Sequence, residues 1–187
     1  WAKPALAAAG VGQIFDIHSV DVAEALGKIA PQAGRMRILP GIKHTLIIDD
    51  TYNASPIAME AALAAVAQLD GEAKKYAVLG DMLELGSLTE SEHQKIGKLV
   101  AKLEFNVLIT VGEKSRDIAR AAKKFGLSED YIFEFEHPEQ AGRFIQDRLE
   151  QGDIILVKGS RGMHLEKVVK EIMAEPEKAE AFLVTSH

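Results

Sequence analysis

The chain has 187 residues, 47% of them hydrophobic, which is enough to bury one substantial core and part of a second domain. Its 22 basic and 28 acidic residues give a formal net charge of −6, which argues against a broad nucleic-acid-binding surface. It has no cysteine, which excludes disulfides and thiolate chemistry, and no apolar run of membrane-spanning length, so we expect a cytoplasmic protein without membrane insertion.

The start of the chain predicts two short helices, Lys3 to Ala9 and Ser19 to Ile29, separated by a stretch with two glycines. Ser19 is the candidate N-cap of the second helix. Two short helices cannot easily enclose a core of their own. We therefore interpret residues 1–33 as the end of a preceding domain or as a flap that packs against one, with the domain boundary at Pro31 to Gly34.

A second domain is predicted over residues 34–174, followed by a tail over residues 175–187. It begins with an antiparallel hairpin in which Met36 to Leu39 pairs with Thr45 to Ile48. Strand-like runs then alternate with helical segments, and the further predicted strands are Tyr76 to Leu79, Val107 to Val111, Tyr131 to Phe135 and Ile154 to Val157. For the tail the sequence leaves open a short helix, a disordered end or an expression remnant.

The segments between the strands carry apolar residues at the three-, four- and seven-residue spacing of amphipathic helices. We interpret each stripe as core rather than as a cofactor site. The stripes are Met59, Ala62, Leu63 and Val66; Ile96, Leu99, Val100 and Leu103; Ile118, Ala121, Ala122 and Phe125; and Leu165, Val168, Val169 and Ile172. Alternating strands and helices predict an α/β fold, a Rossmann-like three-layer domain whose mainly parallel sheet is covered on both faces.

Residues at the predicted helix ends support these boundaries. Ser55 followed by Pro56 is typical of a helix start. Thr89 with Glu92 predicts a capping box. Gly126 predicts the end of a helix that spans Ser115 to Phe125.

In such a fold, ligands gather where the parallel strands end. Four loops are therefore candidates: Asp49 to Ser55, Gly80 to Gly86, Gly112 to Ser115 and Lys158 to Met163.

Asp49 and Asp50 end the first parallel strand, and successive side chains of a strand point to opposite faces. At most one of them is expected to face a ligand directly. A carboxylate here suits the hydroxyl pair of a ribose, and a helix cap or turn contact explains it equally well. Tyr52 and Asn53 offer an aromatic surface and an amide for a base or a peptide, while Asn53 has the alternative role of stabilising its own loop.

The loop with Lys158, Ser160 and Arg161 joins the last strand directly to a helix. Two cations, a hydroxyl and exposed backbone amides suit a carboxylate or phosphate, and Arg161 can make a bidentate contact. Taken alone, the residues give equal weight to the alternative that both cations are solvated rim charges. The glycine spacing in this loop matches neither the Walker phosphate loop nor the dinucleotide fingerprint. The glycine fingerprint is also absent after the first strand, which argues against a hydride-transferring dehydrogenase.

Metal binding is weakly supported. Asp81 and Glu84 lie three residues apart in a glycine-bounded loop, but no nearby histidine completes a ligand set. His93 lies at the edge of an apolar stripe and is interpreted as a packing residue rather than a base. We predict no metal site and assign no catalytic residue.

Four stretches occur in an informative order: Gly34-Arg35-Met36, DDTYNASP from Asp49, VLGDMLELG from Val78 and LVKGSRGM from Leu156. This series resembles the C-terminal part of the Mur ligases, and most closely the branch that joins D-Ala-D-Ala to UDP-N-acetylmuramoyl-tripeptide. The resemblance covers roughly Ala5 to Met173. The DDTYNA and GDMLELG stretches are more specific to that branch than to Mur ligases in general.

The resemblance implies a bacterial cytoplasmic enzyme of peptidoglycan precursor synthesis with a UDP-sugar domain, a central ATPase domain and a C-terminal Rossmann-like domain. Residues 1–33 would be the last helices of the central domain and residues 34–174 the C-terminal domain. The family's phosphate-binding loop and Mg²⁺ ligands are not found in this sequence. ATP and Mg²⁺ would therefore be used only together with the N-terminal and central domains, and the isolated chain is expected to be inactive.

The implied reaction begins when ATP phosphorylates the terminal carboxylate of the tripeptide. The amine of D-Ala-D-Ala then attacks the acyl phosphate, and phosphate leaves a tetrahedral intermediate. Alignment and charge stabilisation supply most of the catalysis, and domain closure would exclude water from the acyl phosphate.

The resemblance also implies roles for single residues. Arg35 would approach the ATP phosphates or base, and Asp50 would hold the ribose. Tyr52 and Asn53 would lie where the domain closes over nucleotide and acceptor. The physical suitability of the last loop and the resemblance together make Lys158, Ser160 and Arg161 candidates for the D-Ala-D-Ala carboxylate.

Two other functions stay open. One is another amino-acid-adding ligase of the same superfamily, including the folylpolyglutamate type. The other belongs to a different class, a nucleotide- or peptide-binding module without catalysis.

Overall fold

The computed structural model describes residues 2–29, 32–69 and 71–184, without the side chains of residues 2 and 3. The chain divides into two compact units, Trp1–Pro31 and Gln32–His187. No helix in the described ranges is both long and apolar enough to cross a membrane. The assignment of the first unit to a preceding ATPase domain stays a prediction.

The first unit contains helices α1 (Ala2–Ile14) and α2 (Ser19–Gly27). The predicted break at Gly10 and Gly12 is wrong, because α1 runs through both glycines. Packing explains Gly12, since a Cβ on this residue would lie 2.8 Å from a methyl of Val22 on α2. The N-cap of α2 is His18 rather than Ser19, and its ring Nδ1 accepts a hydrogen bond from the Val20 amide at 3.3 Å.

The second unit is built on a six-stranded sheet of order β1-β2-β6-β3-β4-β5. Its strands are β1 (Arg37–Pro40), β2 (Leu46–Asp50), β3 (Lys75–Gly80), β4 (Val107–Val111), β5 (Ile132–Phe135) and β6 (Ile154–Lys158). Only the β1–β2 pair is antiparallel, which confirms the predicted hairpin, and the four other pairings are parallel. Every strand predicted from the sequence is present.

Helices cover both faces of the sheet, which confirms the predicted three-layer α/β fold. Helices α3 (Pro56–Ala67), α4 (Thr89–Lys102) and α5 (Arg116–Lys124) pack on one face, against residues such as Ile48 and Leu156. Helices α6 (Pro138–Arg148) and α7 (Glu166–Ile172) pack on the other, against residues such as Ile47 and Val157. The buried stripe of α3 is the predicted one: Met59, Ala62, Leu63 and Val66.

Two predicted helix ends differ in outcome. Ser55 caps α3, since its hydroxyl accepts a hydrogen bond from the Ala58 amide at 3.4 Å, and Pro56 begins the helix. The capping box at Thr89 is wrong, because α4 begins at Thr89 itself and the Thr89 hydroxyl donates to the Gly86 carbonyl at 2.8 Å. A short 3₁₀ turn, Gly86–Leu88, runs directly into α4 and takes the place of an extended cap.

The last residues that the structure describes, up to residue 184, belong to the second unit and pack on its core. A 3₁₀ turn (Pro176–Lys178) leads into the one-turn helix α8 (Ala179–Phe182). Ala179 and Leu183 are buried in the same core as α6 and α7. Of the alternatives that the sequence left open for the tail, the short helix is the one observed.

Candidate functional site

The carboxyl ends of β2, β6 and β3 lie side by side in the sheet. From β2 and β3 the chain continues into α3 and α4 on one face, whereas from β6 it continues into α7 on the other. Loops that leave neighbouring strands towards opposite faces open a crevice, which is the usual ligand site of doubly wound α/β folds. Three of the four loops selected from the sequence surround this crevice.

The two carboxylates at the end of β2 hold the pre-β1 segment (Gln32–Met36). One Asp49 oxygen accepts a hydrogen bond from the Gly34 amide, and one Asp50 oxygen accepts from the Met36 amide, both at 3.0 Å. The Tyr52 amide also donates to the Gly34 carbonyl at 2.9 Å. The backbone of this segment is thus fixed against the loop that follows β2.

Asp49 is fully buried, and its other carboxylate oxygen accepts hydrogen bonds from the Thr51 hydroxyl at 2.7 Å and the Thr51 amide at 3.3 Å. Burial raises the pKa of Asp49 above its ordinary 3.8, and the bonds from Thr51 and Gly34 offset only part of that effect. Asp49 therefore has a structural position, while Asp50 is the carboxylate nearer the crevice.

Asp50 pairs with Lys158 across the β2–β6 ladder, where the two residues are register partners. The Lys158 ammonium lies 2.6 Å from Asp50 Oδ2 and donates to the Asn53 carbonyl at 2.8 Å. Only 1% of the lysine side chain is exposed. The alternative that Lys158 is a solvated rim charge is wrong, because the ammonium is buried and held by partners within the loop after β2.

Arg35 of the pre-β1 segment and Tyr52 of the loop after β2 form an exposed surface. The guanidinium carbon of Arg35 lies 4.3 Å from the centroid of the Tyr52 ring, in the geometry of a cation–π contact. The tyrosine is 41% exposed. A flat group and an anion can both reach this pair from solvent, which is the combination that a nucleotide presents.

Asn53 is an exposed residue of the same loop. Its side-chain oxygen accepts a hydrogen bond from the Ala54 amide at 2.8 Å. This bond realises the loop-stabilising alternative considered for Asn53. The side-chain NH₂ group is the part of Asn53 that a ligand role would use.

Ser160 is buried and ties the loop after β6 to the loop after β3. Its amide donates to the Asp81 carbonyl at 3.0 Å, and its hydroxyl accepts from the Leu83 amide at 2.9 Å. The close approach depends on glycine, since a Cβ on Gly159 would lie 3.2 Å from the Gly80 Cα. In this structure the Ser160 side chain orders the two loops rather than facing the solvent.

Arg161 begins a 3₁₀ turn (Arg161–Met163) and keeps 32% of its side chain exposed. Its guanidinium donates to the buried carboxylate of Glu166 at 3.0 Å. The same Glu166 oxygen lies 3.2 Å from Nδ1 of His164, a residue in the left-handed backbone conformation at φ 51°. Glu166 thus fixes the direction in which Arg161 leaves the loop.

The residues considered for metal or base chemistry have partners within the fold. One Asp81 oxygen accepts from the Ser115 amide at 2.7 Å. His93 is fully buried; its Nε2 accepts from the Met82 amide at 3.0 Å, so the proton is on Nδ1, which donates to the Thr89 carbonyl at 2.7 Å. Across residues 2–29, 32–69 and 71–184, no three His, Asp or Glu side chains are grouped in a way that could hold a metal ion.

Sequence reasoning missed two contributors to this region. Glu166 gave no signal, because one glutamate in the first turn of an amphipathic helix is normally solvated. The segment around Phe182 and Leu183 does carry a signal in the sequence. Two adjacent apolar residues in a charged tail indicate that the tail packs against the domain.

Residues 34–161 match the family described as Mur ligase, glutamate ligase domain. Among curated proteins, the chain is similar to the UDP-N-acetylmuramoyl-tripeptide--D-alanyl-D-alanine ligases of Bacillus subtilis and Rickettsia prowazekii. The Bacillus enzyme is 34% identical over 92% of this chain and 37% of its own length. The Rickettsia enzyme is 33% identical over 86% of this chain and 35% of its own length. The chain thus spans little more than a third of these relatives.

Solved structures of MurF ligases are likewise similar to most of this chain, which again covers little more than a third of their length. A MurF from Acinetobacter baumannii superposes with a TM-score of 0.71 at 30% identity, over 88% of this chain and 35% of the other. The MurF ligase from Thermotoga maritima, crystallised with ADP, superposes with a TM-score of 0.66 at 25% identity, over 87% of this chain and 37% of the other.

Proposed function

This chain belongs to the Mur ligase family, and we propose that it is the C-terminal part of an ATP-dependent ligase that joins D-Ala-D-Ala to UDP-N-acetylmuramoyl-tripeptide. The observation that carries the proposal is the match to curated ligases of that name over about nine-tenths of this chain. The crevice beside β2, β6 and β3 supports it, since it combines an exposed cation–π pair with a fixed carboxylate and a partly exposed arginine.

We expect the nucleotide on the Arg35 side of the crevice. Tyr52 offers a flat surface, Arg35 a positive charge, and Asp50 a carboxylate whose oxygens can accept from ribose hydroxyls in addition to their present donors. The buried Lys158 would hold the Asp50 carboxylate in place. The ADP complex of the Thermotoga relative supports a nucleotide ligand for the complete protein.

The acceptor would bind on the side of the loop after β6. Arg161 is the residue in that loop suited to the D-Ala-D-Ala carboxylate, because Glu166 orients it while about a third of its side chain is exposed. Lys158 and Ser160 would contribute indirectly, since both are engaged in holding loops together. The NH₂ group of Asn53 is a further candidate donor to the dipeptide.

Chemistry in the complete protein would follow the acyl-phosphate route. The γ-phosphoryl group of ATP passes to the tripeptide carboxylate and ADP leaves. The dipeptide amine then attacks the acyl carbon, loses its proton and displaces inorganic phosphate. Residues of this chain would align nucleotide and dipeptide, whereas Mg²⁺ and its ligands would come from the central domain. The enzyme would act in the bacterial cytoplasm, where its nucleotide-linked substrate is made.

Rates of phosphate release by the complete protein distinguish this proposal from the alternative of another amino-acid-adding ligase of the same superfamily. With ATP and tripeptide present, D-Ala-D-Ala should stimulate release, whereas a single amino acid such as L-glutamate should not. Stimulation by a single amino acid in place of D-Ala-D-Ala would instead favour another Mur-type ligase. Stimulation by L-glutamate when a folate replaces the tripeptide would favour the folylpolyglutamate type.

The division of roles between this chain and the other domains is tested on the 187-residue chain itself. We expect measurable ADP binding by titration calorimetry and no ligated product, because the chain supplies only one side of the site. Product formed by the purified chain would overturn this division of roles.

A further inference from the structure

The C-terminal strap (Met173–Val184) runs beside the edge of the sheet. Met173 forms an isolated antiparallel bridge with Gly41, just after β1. The Ala174 amide then donates to the Pro40 carbonyl at 3.0 Å. The strap therefore begins as a short continuation of the sheet beyond β1, although it is too brief to count as a strand.

Side chains anchor the strap farther along. Ala179 and Leu183 are 8% and 7% exposed and join the core beneath α6 and α7. Arg37 of β1 contacts Phe182, which lies between these two residues in the sequence. The Arg37 guanidinium donates to the Phe182 carbonyl at 2.9 Å, and its carbon lies 4.7 Å from the centre of the Phe182 ring. Chain ends normally fray unless such contacts fix them.

The strap reaches the pre-β1 segment at Val184. A Cβ placed on Gly34 would lie 2.6 Å from a Val184 methyl, so the valine side chain packs directly against the backbone of Gly34, which has φ +69°. Leu183 and Val184 also line a depression of about 290 Å³ together with Gln32, Ala33, Arg35 and Tyr52. The pre-β1 segment is therefore in contact both with the carboxylates of β2 and with the end of the strap.

We propose that the C-terminal strap positions Arg35 against Tyr52, with Val184 as the contact residue and Arg37 as the anchor. The hydrogen bonds from Gly34 and Met36 to the carboxylates fix backbone atoms of the segment. Val184 adds a packing contact at Gly34, next to Arg35, and prevents the segment from rotating Arg35 away from the tyrosine ring. The inference rests on the proposed function insofar as the ligand of this pair is a nucleotide.

Arg37→Met in the complete protein tests the anchor. Without the guanidinium, the strap loses a charge-assisted hydrogen bond and a cation–π contact, and we expect the KM for ATP to rise about tenfold. The kcat and the KM for D-Ala-D-Ala should stay within about twofold, because the acceptor side is not touched. Arg37→Lys, which can donate to the same carbonyl, should recover most of the loss.

Arg148→Met is the matched control, since Arg148 also stacks on an aromatic ring, 3.6 Å from the centre of Phe144, but belongs to α6. It should leave both KM values unchanged. A purely structural role for Arg37 predicts a different result, a lower fraction of active enzyme with an unchanged KM for ATP. That result, or an equal rise in both KM values, would overturn the proposal.

Hydrogen exchange provides a readout that does not depend on ligase activity. The Gly34 and Met36 amides should exchange faster in Arg37→Met than in the wild type or in Arg148→Met. Equal exchange in all three proteins would refute the strap whatever the enzyme does. Should the wild type fail to ligate, the proposed function falls while this comparison still decides the strap.

Discussion

The ammonium of Lys158 lies 2.6 Å from Oδ2 of Asp50, with 1% of the lysine and 13% of the aspartate side chain exposed. This pair joins the ends of β2 and β6 at the crevice, and the lysine also donates to the carbonyl of Asn53. A charge buried in this way is stable only while its partner is present. The pair therefore fixes the loop after β2, and with it the surface that we assign to the nucleotide.

Removal of the cation tests this role. We expect Lys158→Met to lower the free energy of unfolding by about 3 kcal/mol, the lower end of the range for breaking a buried ion pair, because Asp50 retains some exposure and its bond to Met36. Urea denaturation measures the change. The double variant Asp50→Asn/Lys158→Met should recover part of it, since no unpaired charge is left.

Lys167→Met provides the comparison, because Lys167 pairs with Glu139 while 47% of its side chain is exposed. It should change stability by less than about 1 kcal/mol. A loss for Lys158→Met no larger than for this surface variant would show that the buried pair does not hold the loop.

The pH dependence of stability tests the burial of Asp49. Its pKa is raised in the folded state, so the folded protein keeps this proton to higher pH than the unfolded chain. The contribution of Asp49 to stability therefore falls as pH rises through the raised pKa. Asp49→Asn cannot ionise, so its free energy of unfolding should increase relative to the wild type between about pH 3 and about pH 7.

Urea denaturation of both proteins at several pH values measures this difference. Asp147→Asn, at an exposed position on α6, controls for the loss of one negative charge. A difference between Asp49→Asn and the wild type that is flat across the range, or that decreases with pH, would contradict a raised pKa.

Arg161→Ala probes the acceptor side. If the guanidinium binds the dipeptide carboxylate, its loss should weaken apparent D-Ala-D-Ala binding by about 1–3 kcal/mol with little effect on the ATP requirement. Steady-state kinetics of the complete protein give both values. Arg143→Ala, at an exposed arginine of α6, should behave as the wild type. An unchanged dipeptide dependence would remove Arg161 from the site.

Leu63→Ala separates packing from function. Leu63 is fully buried in α3, and its truncation should lower the free energy of unfolding by about 2–5 kcal/mol through cavity formation. Ile57→Ala in the same helix, at an 81% exposed position, should cost less than about 0.5 kcal/mol. Loss of activity without loss of stability would contradict the assignment of Leu63 to the core.

The sequence predicts most of the fold because its strands and helices have strong, regular apolar patterns. The stripe from Met59 to Val66 and the run from Ile154 to Val157 are both buried. Local signals were less dependable. The glycines of α1 predict a break that is absent, since Gly12 reflects close packing against another helix, and packing cannot be deduced from one segment alone.

The same reasoning locates the candidate site, but it does not give the burial or the pairing of the site's residues. The sequence predicts that Asp50 and Lys158 lie where two strands end, yet only the structure shows that the two strands are neighbours, that the two residues are paired and that the lysine is buried. The sequence likewise gives no distance between Val184 and Gly34, which are far apart in the chain. Contacts of this kind depend on the whole topology rather than on local residue preferences.

The measurement that tests the account most directly is the identity of the product made by the complete protein that contains this chain. With ATP, Mg²⁺, UDP-N-acetylmuramoyl-tripeptide and D-Ala-D-Ala, mass spectrometry should detect the tripeptide extended by both alanines, with one ADP formed per product. A tripeptide that stays unmodified with D-Ala-D-Ala but is extended by a single amino acid would contradict the account.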